Sequence, residues 1–304
     1  KRVIHLNIGQ PDVLSPSVAL RALKDDVRTV IEYSPSEGYE SYREALSIYY
    51  KNASIHVEVD DLIVTTGGSE ALIFGMLSCM DPGDEIIIPE PFYANYNGFA
   101  KMVGVNIVPV TAYIDDGFAL PPIEDFEAKI TSKTKAILIC NPGNPTGKVY
   151  NSEALDALAK LVLKHDLYIF SDEVYREFCY DGSQPKSVLE LEGLAQNAIM
   201  IDSVSKRFSM CGARVGALVT KNSELRQTIM KFAMARLSPP TLGQIASEAA
   251  LKAPASYFDD VRSCYVNRRD VLVNGLNNIP GVTCPTPGGA FYAVCKLPID
   301  NSDE

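Results

Sequence analysis

Short apolar runs separated by longer amphipathic stretches set the limits on what this chain can fold into. Leu62–Thr65, Glu85–Pro89, Ile107–Val110, Ala136–Cys140, Leu167–Ser171, Ala198–Ile201 and Gly216–Val219 each read as a buried strand. The segments between them read as helices, most clearly Ser152–His165, where Leu155, Leu158, Ala159 and Val162 fall on one face. Alternation of this kind argues for an α/β fold with a mostly parallel sheet, because each parallel crossover runs over the sheet and covers it.

After Pro239 the strand pattern fades. Helical patterns follow at Gln244–Lys252 and Ala255–Asn277, then a short strand at Ala290–Cys295. The expected organisation is a large domain over residues 35–245 and a smaller α+β domain built from residues 1–34 and 246–304, continuing past Glu304. With 304 residues, 46% of them hydrophobic, a sizeable core is available.

The formal net charge of −10 opposes phosphate backbones and anionic membranes, so nucleic acid and membrane surfaces are not expected partners. No apolar run approaches the length of a membrane span. Seven cysteines without a CxxC pair read as reduced thiols of a cytoplasmic protein. His5, His56 and His165 lie far apart and in no ligand spacing, so no metal site is expected.

Four motifs fall at predicted strand ends, where open α/β sheets bind ligands. Thr65-Thr66-Gly67-Gly68-Ser69-Glu70-Ala71 joins a strand to a helix and suits a phosphate at the helix N-terminus, or is an ordinary turn. It is neither GxGxxG nor a P-loop, which disfavours a nicotinamide-binding oxidoreductase. Asn141-Pro142-Gly143-Asn144-Pro145-Thr146-Gly147 is a heavily constrained loop that offers the Asn144 amide. Ser171-Asp172-Glu173-Val174-Tyr175 puts a carboxylate at a buried strand end. Asp172 either caps the next helix or needs a cationic partner such as a protonated ring nitrogen. Last, Ser203-Val204-Ser205-Lys206-Arg207-Phe208 runs on to Arg214 and Gly216. Lys206 there is a partly desolvated amine of the kind a Schiff base requires, or a surface lysine in a turn. Arg214 offers a fork for a phosphate.

In order and combination these motifs resemble the class I/II aminotransferases of fold type I, dependent on pyridoxal 5'-phosphate (PLP), most closely the aspartate aminotransferase-like branch. The resemblance covers essentially all 304 residues, and Ser203 to Gly216 matches the family pattern S-x-S-K-x-[FY]-x-M-x-G-x-R-x-G. It implies that Lys206 carries PLP as a Schiff base and moves a proton, and that Asp172 pairs with the pyridinium nitrogen so the ring can act as an electron sink. It implies further that Tyr175 and Asn144 bond the phenolic oxygen. Gly68, Ser69, Ser203, Ser205 and Arg214 then hold the phosphate. Tyr93, with Phe92 as the competing candidate, stacks on the ring. Tyr33 reaches the phosphate of a neighbouring subunit, which makes the active unit a homodimer with its site at the interface. Gly9 belongs to the segment closing over the substrate, and Asn144 faces that substrate too.

On this resemblance the substrates are an L-amino acid and a 2-oxo acid, with aspartate and 2-oxoglutarate as the family default. Two departures bear on it. The arginine for the substrate α-carboxylate has no matching position before Glu304, and Ser69 stands where an aspartate-specific subgroup has lysine. Two alternatives share these motifs. A PLP-dependent C–S β-lyase would release pyruvate and ammonia without an acceptor. A non-catalytic aminotransferase-like sensor would need an attached DNA-binding module.

Overall fold

In the computed structural model, which describes residues 8–299, all seven apolar runs join one sheet. The strands are β1 (Leu62–Thr65), β2 (Glu85–Glu90), β3 (Asn106–Thr111), β4 (Thr134–Cys140), β5 (Tyr168–Asp172), β6 (Ala198–Ser203) and β7 (Gly216–Val219). Their order is β1-β7-β6-β5-β4-β2-β3. Pairings from β3 across to β6 are parallel, and β7 runs antiparallel to both β6 and β1. The carboxyl ends of β1, β2, β4, β5 and β6 therefore share one edge with the amino end of β7. His5 and the two chain ends lie outside the described residues.

Ten helices accompany the sheet among the described residues: α1 (Ser17–Lys24), α2 (Glu40–Asn52), α3 (Gly67–Cys79), α4 (Asn95–Val103), α5 (Ile123–Glu127), α6 (Ser152–Lys164), α7 (Val204–Arg207), α8 (Ser223–Arg236), α9 (Thr241–Ala250) and α10 (Ala255–Asn277). Asn151 starts α6 by accepting the Ala154 N–H at 2.8 Å. Asn222 does the same for α8 with Leu225 at 2.9 Å. Such caps satisfy N–H groups that a helix end leaves bare. In α2 the buried Tyr42, Leu46 and Tyr50 repeat every four residues, a stripe that seats the helix on the sheet.

Two apolar cores lie on opposite faces. One gathers Leu46, Tyr50, Leu158, Val162, Ile169, Val188 and Met200 under α2, α6 and α9. The other gathers Ala71, Phe74, Tyr96, Phe99, Leu138, Phe170 and Ile201 under α3, α4 and α8. Side chains alternate along each strand, so Ile169 and Phe170 serve different cores.

One expected element is corrected. Ala290–Cys295 is not a strand: isolated bridges flank it, Cys179 to Gly289 and Thr283 to Lys296, and none falls within it. Ala290 takes a left-handed φ of 53°, which breaks the extended path. Its N–H goes to Phe178 O at 2.8 Å. Phe291 and Tyr292 then pack around Tyr175 and Phe178 instead of alternating across a sheet.

Candidate active site

The shared strand edge opens on a cradle for an anion. Helix α3 begins at Gly67 with no side-chain cap from Thr66. Glu70 Oε2 takes the Thr66 N–H at 2.8 Å, while the first-turn N–H groups, with Gly68 and Ser69 among them, have no intrahelical acceptor. Close packing keeps this backbone bare. A Cβ on Gly216 would stand 2.5 Å from the Gly67 carbonyl carbon and 2.7 Å from Gly68 N. At Gly67 (φ +76°) a Cβ would meet Arg214 Nη2 at 2.6 Å, so the guanidinium lies over the helix end. Arg214 Nη1 donates to Cys211 O at 3.1 Å. Ser203 caps α7, accepting the Ser205 N–H at 3.1 Å. Its hydroxyl lies 2.9 Å from both the Ser205 hydroxyl and Val215 O. N–H groups, hydroxyls, a guanidinium and a positive helix end converge, which is a phosphate's environment.

Asp172 ends β5, paired in register with Cys140 and Ile201. It is 7% exposed and has two neutral donors, Tyr96 OH at 2.9 Å and the Val174 N–H at 3.4 Å. Burial pushes its carboxyl up to about 6, with Lys206 acting only as a weaker opposing charge. A buried carboxylate without an adjacent cation is the state that a protonated ring nitrogen relieves.

Tyr175 and Lys206 complete the centre. The buried Tyr175 hydroxyl accepts from Asn144 Nδ2 at 3.4 Å and lies 2.7 Å from the Tyr292 hydroxyl. Lys206, on the one-turn helix α7, donates from Nζ to Gly9 O at 2.6 Å, with the Phe291 ring centroid 5.9 Å away. Burial lowers its pKa; Cys211 and the Asp172 carboxylate act the other way, and Arg214 adds to the lowering. The amine is thus held half-buried and nearer to its neutral, nucleophilic form.

The other expected residues divide. The half-buried Tyr93 sits edge-on to Tyr96, with ring centroids 5.4 Å apart. Its phenol is pushed up by burial and next by the Asp172 charge, which brings it to the centre. Phe92 stacks on Tyr96, with ring centroids 6.2 Å apart. Gly9 is present through its carbonyl. Tyr33 is not gathered here: it is 77% exposed and makes no hydrogen bond among the described residues.

Several contributors escaped the sequence reading. Tyr96 holds Asp172, and Tyr292 holds Tyr175. Beneath the site lies an ionic layer. Asp202 and Arg207 bracket the Ser203–Lys206 turn with a buried ion pair, and Asp202 also accepts from Tyr50 OH and the Ser203 N–H, each at 2.7 Å. The Arg207 guanidinium lies 4.1 Å over the Tyr49 ring. Glu173, next to Asp172, pairs with Arg176 and accepts from Ser187 Oγ and the Val188 N–H, each at 3.0 Å. Opposite charges either side of Lys206, in a run otherwise small or apolar, were the available signal, since buried charges need partners.

A family model described as aminotransferase class I and II matches residues 1–301. The aminotransferase-named protein YugH of Bacillus subtilis is 37% identical over 295 residues, covering 96% of this chain and 75% of that one. The aspartate/prephenate aminotransferase of Thermus thermophilus is 32% identical over 302 residues, covering 96% of this chain and 76% of its own length. Among solved structures, an alanine aminotransferase from Pyrococcus furiosus superposes with a TM-score of 0.92 at 31% identity, covering 99% of this chain and 78% of that one.

Proposed function

The chain belongs to the class I and II aminotransferases, PLP-dependent enzymes of fold type I, and from that premise we propose that it moves an amino group from an L-amino acid to a 2-oxo acid with Lys206 carrying the cofactor as a Schiff base. The residues fit that cofactor on two observations: the bare helix end under Arg214 that a Cβ would fill, and the Asp172 carboxylate, 7% exposed with only neutral hydrogen-bond donors, Tyr96 OH and the Val174 N–H, where burial pushes the carboxyl up to about 6. The second carries the reading, because few other ligands bring a proton on nitrogen to a carboxylate and a phosphate to a helix end at once.

When bound, the cofactor supplies a ring that takes up electrons as the substrate Cα–H bond breaks. Asp172 keeps a proton at the ring nitrogen. Gly68, Ser69, Ser203, Ser205 and Arg214 hold the phosphate, Tyr93 covers the ring, and Asn144 and Tyr175 bond its phenolic oxygen. Lys206 Nζ, once free, takes the Cα proton of the amino acid and returns it. Gly9 and Asn144 border the substrate.

Aspartate with 2-oxoglutarate is the pair to try first, since aspartate-named enzymes recur among the relatives. Such a reaction serves amino-acid metabolism and biosynthesis, and seven free cysteines suit a reducing cytoplasm. Among the described residues, no helix is long and apolar enough to cross a membrane. The division into residues 35–245 and 1–34 with 246–304 remains our reading of the domains. A homodimer is supported by the exposed Val27, Val30, Ile31 and Tyr33 on one N-terminal segment, with Tyr33 crossing to the partner's phosphate.

The test is the visible absorption of the protein with PLP, recorded before and after L-aspartate alone. Loss of the band, restored by 2-oxoglutarate, is the expected result. A band that ignores aspartate overturns the substrate, and no band at all overturns the role of Lys206.

A further inference from the structure

Tyr292 is the residue that the reading above leaves without a task. Its backbone is fixed against the loop that carries Asn144: a Cβ on Gly147 would meet Tyr292 O at 3.1 Å, and Gly147 O accepts the Gly289 N–H at 2.8 Å. Its ring stands edge-on to Tyr175, with centroids 5.6 Å apart at 85°, and the two hydroxyls are 2.7 Å apart. On its other side the hydroxyl abuts Gly9, where a Cβ would come within 2.0 Å of it. Gly9 is also the residue whose carbonyl holds Lys206 Nζ at 2.6 Å.

A phenolic hydroxyl has one proton to give and two lone pairs to receive. The amide Asn144 Nδ2 can only donate to Tyr175. If Tyr292 donates as well, both lone pairs of Tyr175 are filled and its own proton is free to point at a third oxygen. If Tyr292 instead accepts, the Tyr175 proton is spent inside the protein. Tyr175 is the more deeply buried of the two and Tyr292 the more open. Burial pushes both phenols up, Tyr292 to about 12 and Tyr175 well above its ordinary value, so both keep their protons near neutrality.

We propose that Tyr292 is a positioning residue: it donates to Tyr175, aims the Tyr175 proton at the cofactor's phenolic oxygen, and couples that proton to the N-terminal segment through Gly9. The proposal rests on the PLP reading above. Removing the Tyr292 hydroxyl weakens donation by Tyr175, so the phenolic oxygen keeps more negative charge and holds a nearby proton more tightly.

The experiment is a pH titration of the visible band of the PLP-loaded enzyme, for the parent, Tyr292→Phe, Gly9→Ala and the double variant. Tyr292→Phe keeps the ring and its packing. Its midpoint is expected to rise by about 0.4–1 pH unit, the net worth of one hydrogen bond expressed as a titration shift. Gly9→Ala, which pushes the hydroxyl away, raises the midpoint in the same direction. In the Tyr292→Phe background its shift is smaller, because the hydroxyl, the nearest contact at 2.0 Å, is gone and only the ring carbons at 2.8 and 2.9 Å remain. A midpoint unmoved or lowered in Tyr292→Phe overturns the donor assignment. Additive shifts overturn the coupling through Gly9. A parent protein with no visible band removes the PLP reading and this proposal with it, a result distinct from a parent band that the variants leave unchanged.

Discussion

Arg207→Met isolates the ionic layer beneath the lysine turn. It keeps an unbranched side chain near Tyr49 but removes the guanidinium, leaving Asp202 2% exposed with two neutral donors, Tyr50 OH and the Ser203 N–H. Burial by itself would raise the Asp202 pKa; Arg207 and then Arg176 outweigh it, so the carboxyl sits below its usual range. Breaking one side of such a pair costs about 3–5 kcal/mol, whereas replacing both partners by neutral groups costs far less. At roughly 2 °C per kcal/mol for a chain of this size, Arg207→Met lowers Tm by about 6–10 °C near pH 7.5. Asp202→Asn combined with Arg207→Met recovers much of that loss. The sign with pH follows. In the parent, the Asp202 contribution is present above the unfolded carboxylate value near ~4 and is lost below it. In Arg207→Met burial weighs more, with Arg176 the remaining cation, so the carboxyl titrates higher than in the parent and the deficit shrinks as the pH falls from 7.5 towards 5. Thermal unfolding of the cofactor-free proteins, followed by circular dichroism at both pH values, reads all of this. A Tm within 2 °C of the parent, or a double variant no better than Arg207→Met, refutes the reasoning.

Three further outcomes are expected. Burial raises Asp172 to about 6, so its contribution to the cofactor-free fold is fully present below pH ~4 and lost as the pH rises through about 6. The advantage of Asp172→Asn over the parent should therefore grow by roughly 2 kcal/mol between pH 4 and 7, as denaturant midpoints will register; an advantage independent of pH rules this out. Gly216→Ala drives a Cβ into the backbone of Gly67 and Gly68 and costs about 1–3 kcal/mol together with PLP retention on dialysis. Gly68→Ala, whose Cβ would meet only side chains at 3.5–4.0 Å, stays within about 1 kcal/mol of the parent in stability, and the reverse ranking would contradict the packing described. Lys206→Ala abolishes turnover and the visible band; turnover retained without an added amine would show that another group does its work.

Strand ends were the legible part of this fold. A run such as Ala198–Ile201 is apolar because both faces of its strand are covered, and it stops where polar side chains begin, so motif and strand end coincide in the text of the chain. Even there the boundaries moved: β6 continues to Ser203 and β5 to Asp172, because polar side chains at a sheet edge still keep ladder hydrogen bonds. Contacts across long separations were not legible. Nothing near Tyr96 or Tyr292 says which of several aromatics will meet Asp172 or Tyr175, since that depends on how α4 and the segment after Gly289 lie over the sheet. The apolar run Ala290–Cys295 misled for a related reason. Its residues are buried by a loop folding back on Phe178, and hydrophobicity reports burial without reporting extended pairing.

Neighbouring residues at the strand ends look to opposite faces: Asp172 to Tyr96, Glu173 to Val188, Lys206 to Gly9 and Arg207 to Tyr49. Through Tyr49, which donates to Glu177 at 2.5 Å, and Tyr50, helix α2 is hinged to both turns. The reactive groups are therefore not portable as a peptide. A transplant of residues 202–214 into another α/β scaffold would carry the lysine but strand Asp202 and Arg207 without their tyrosines, so the smallest unit that an engineer could move includes α2, well over a hundred residues away along the chain.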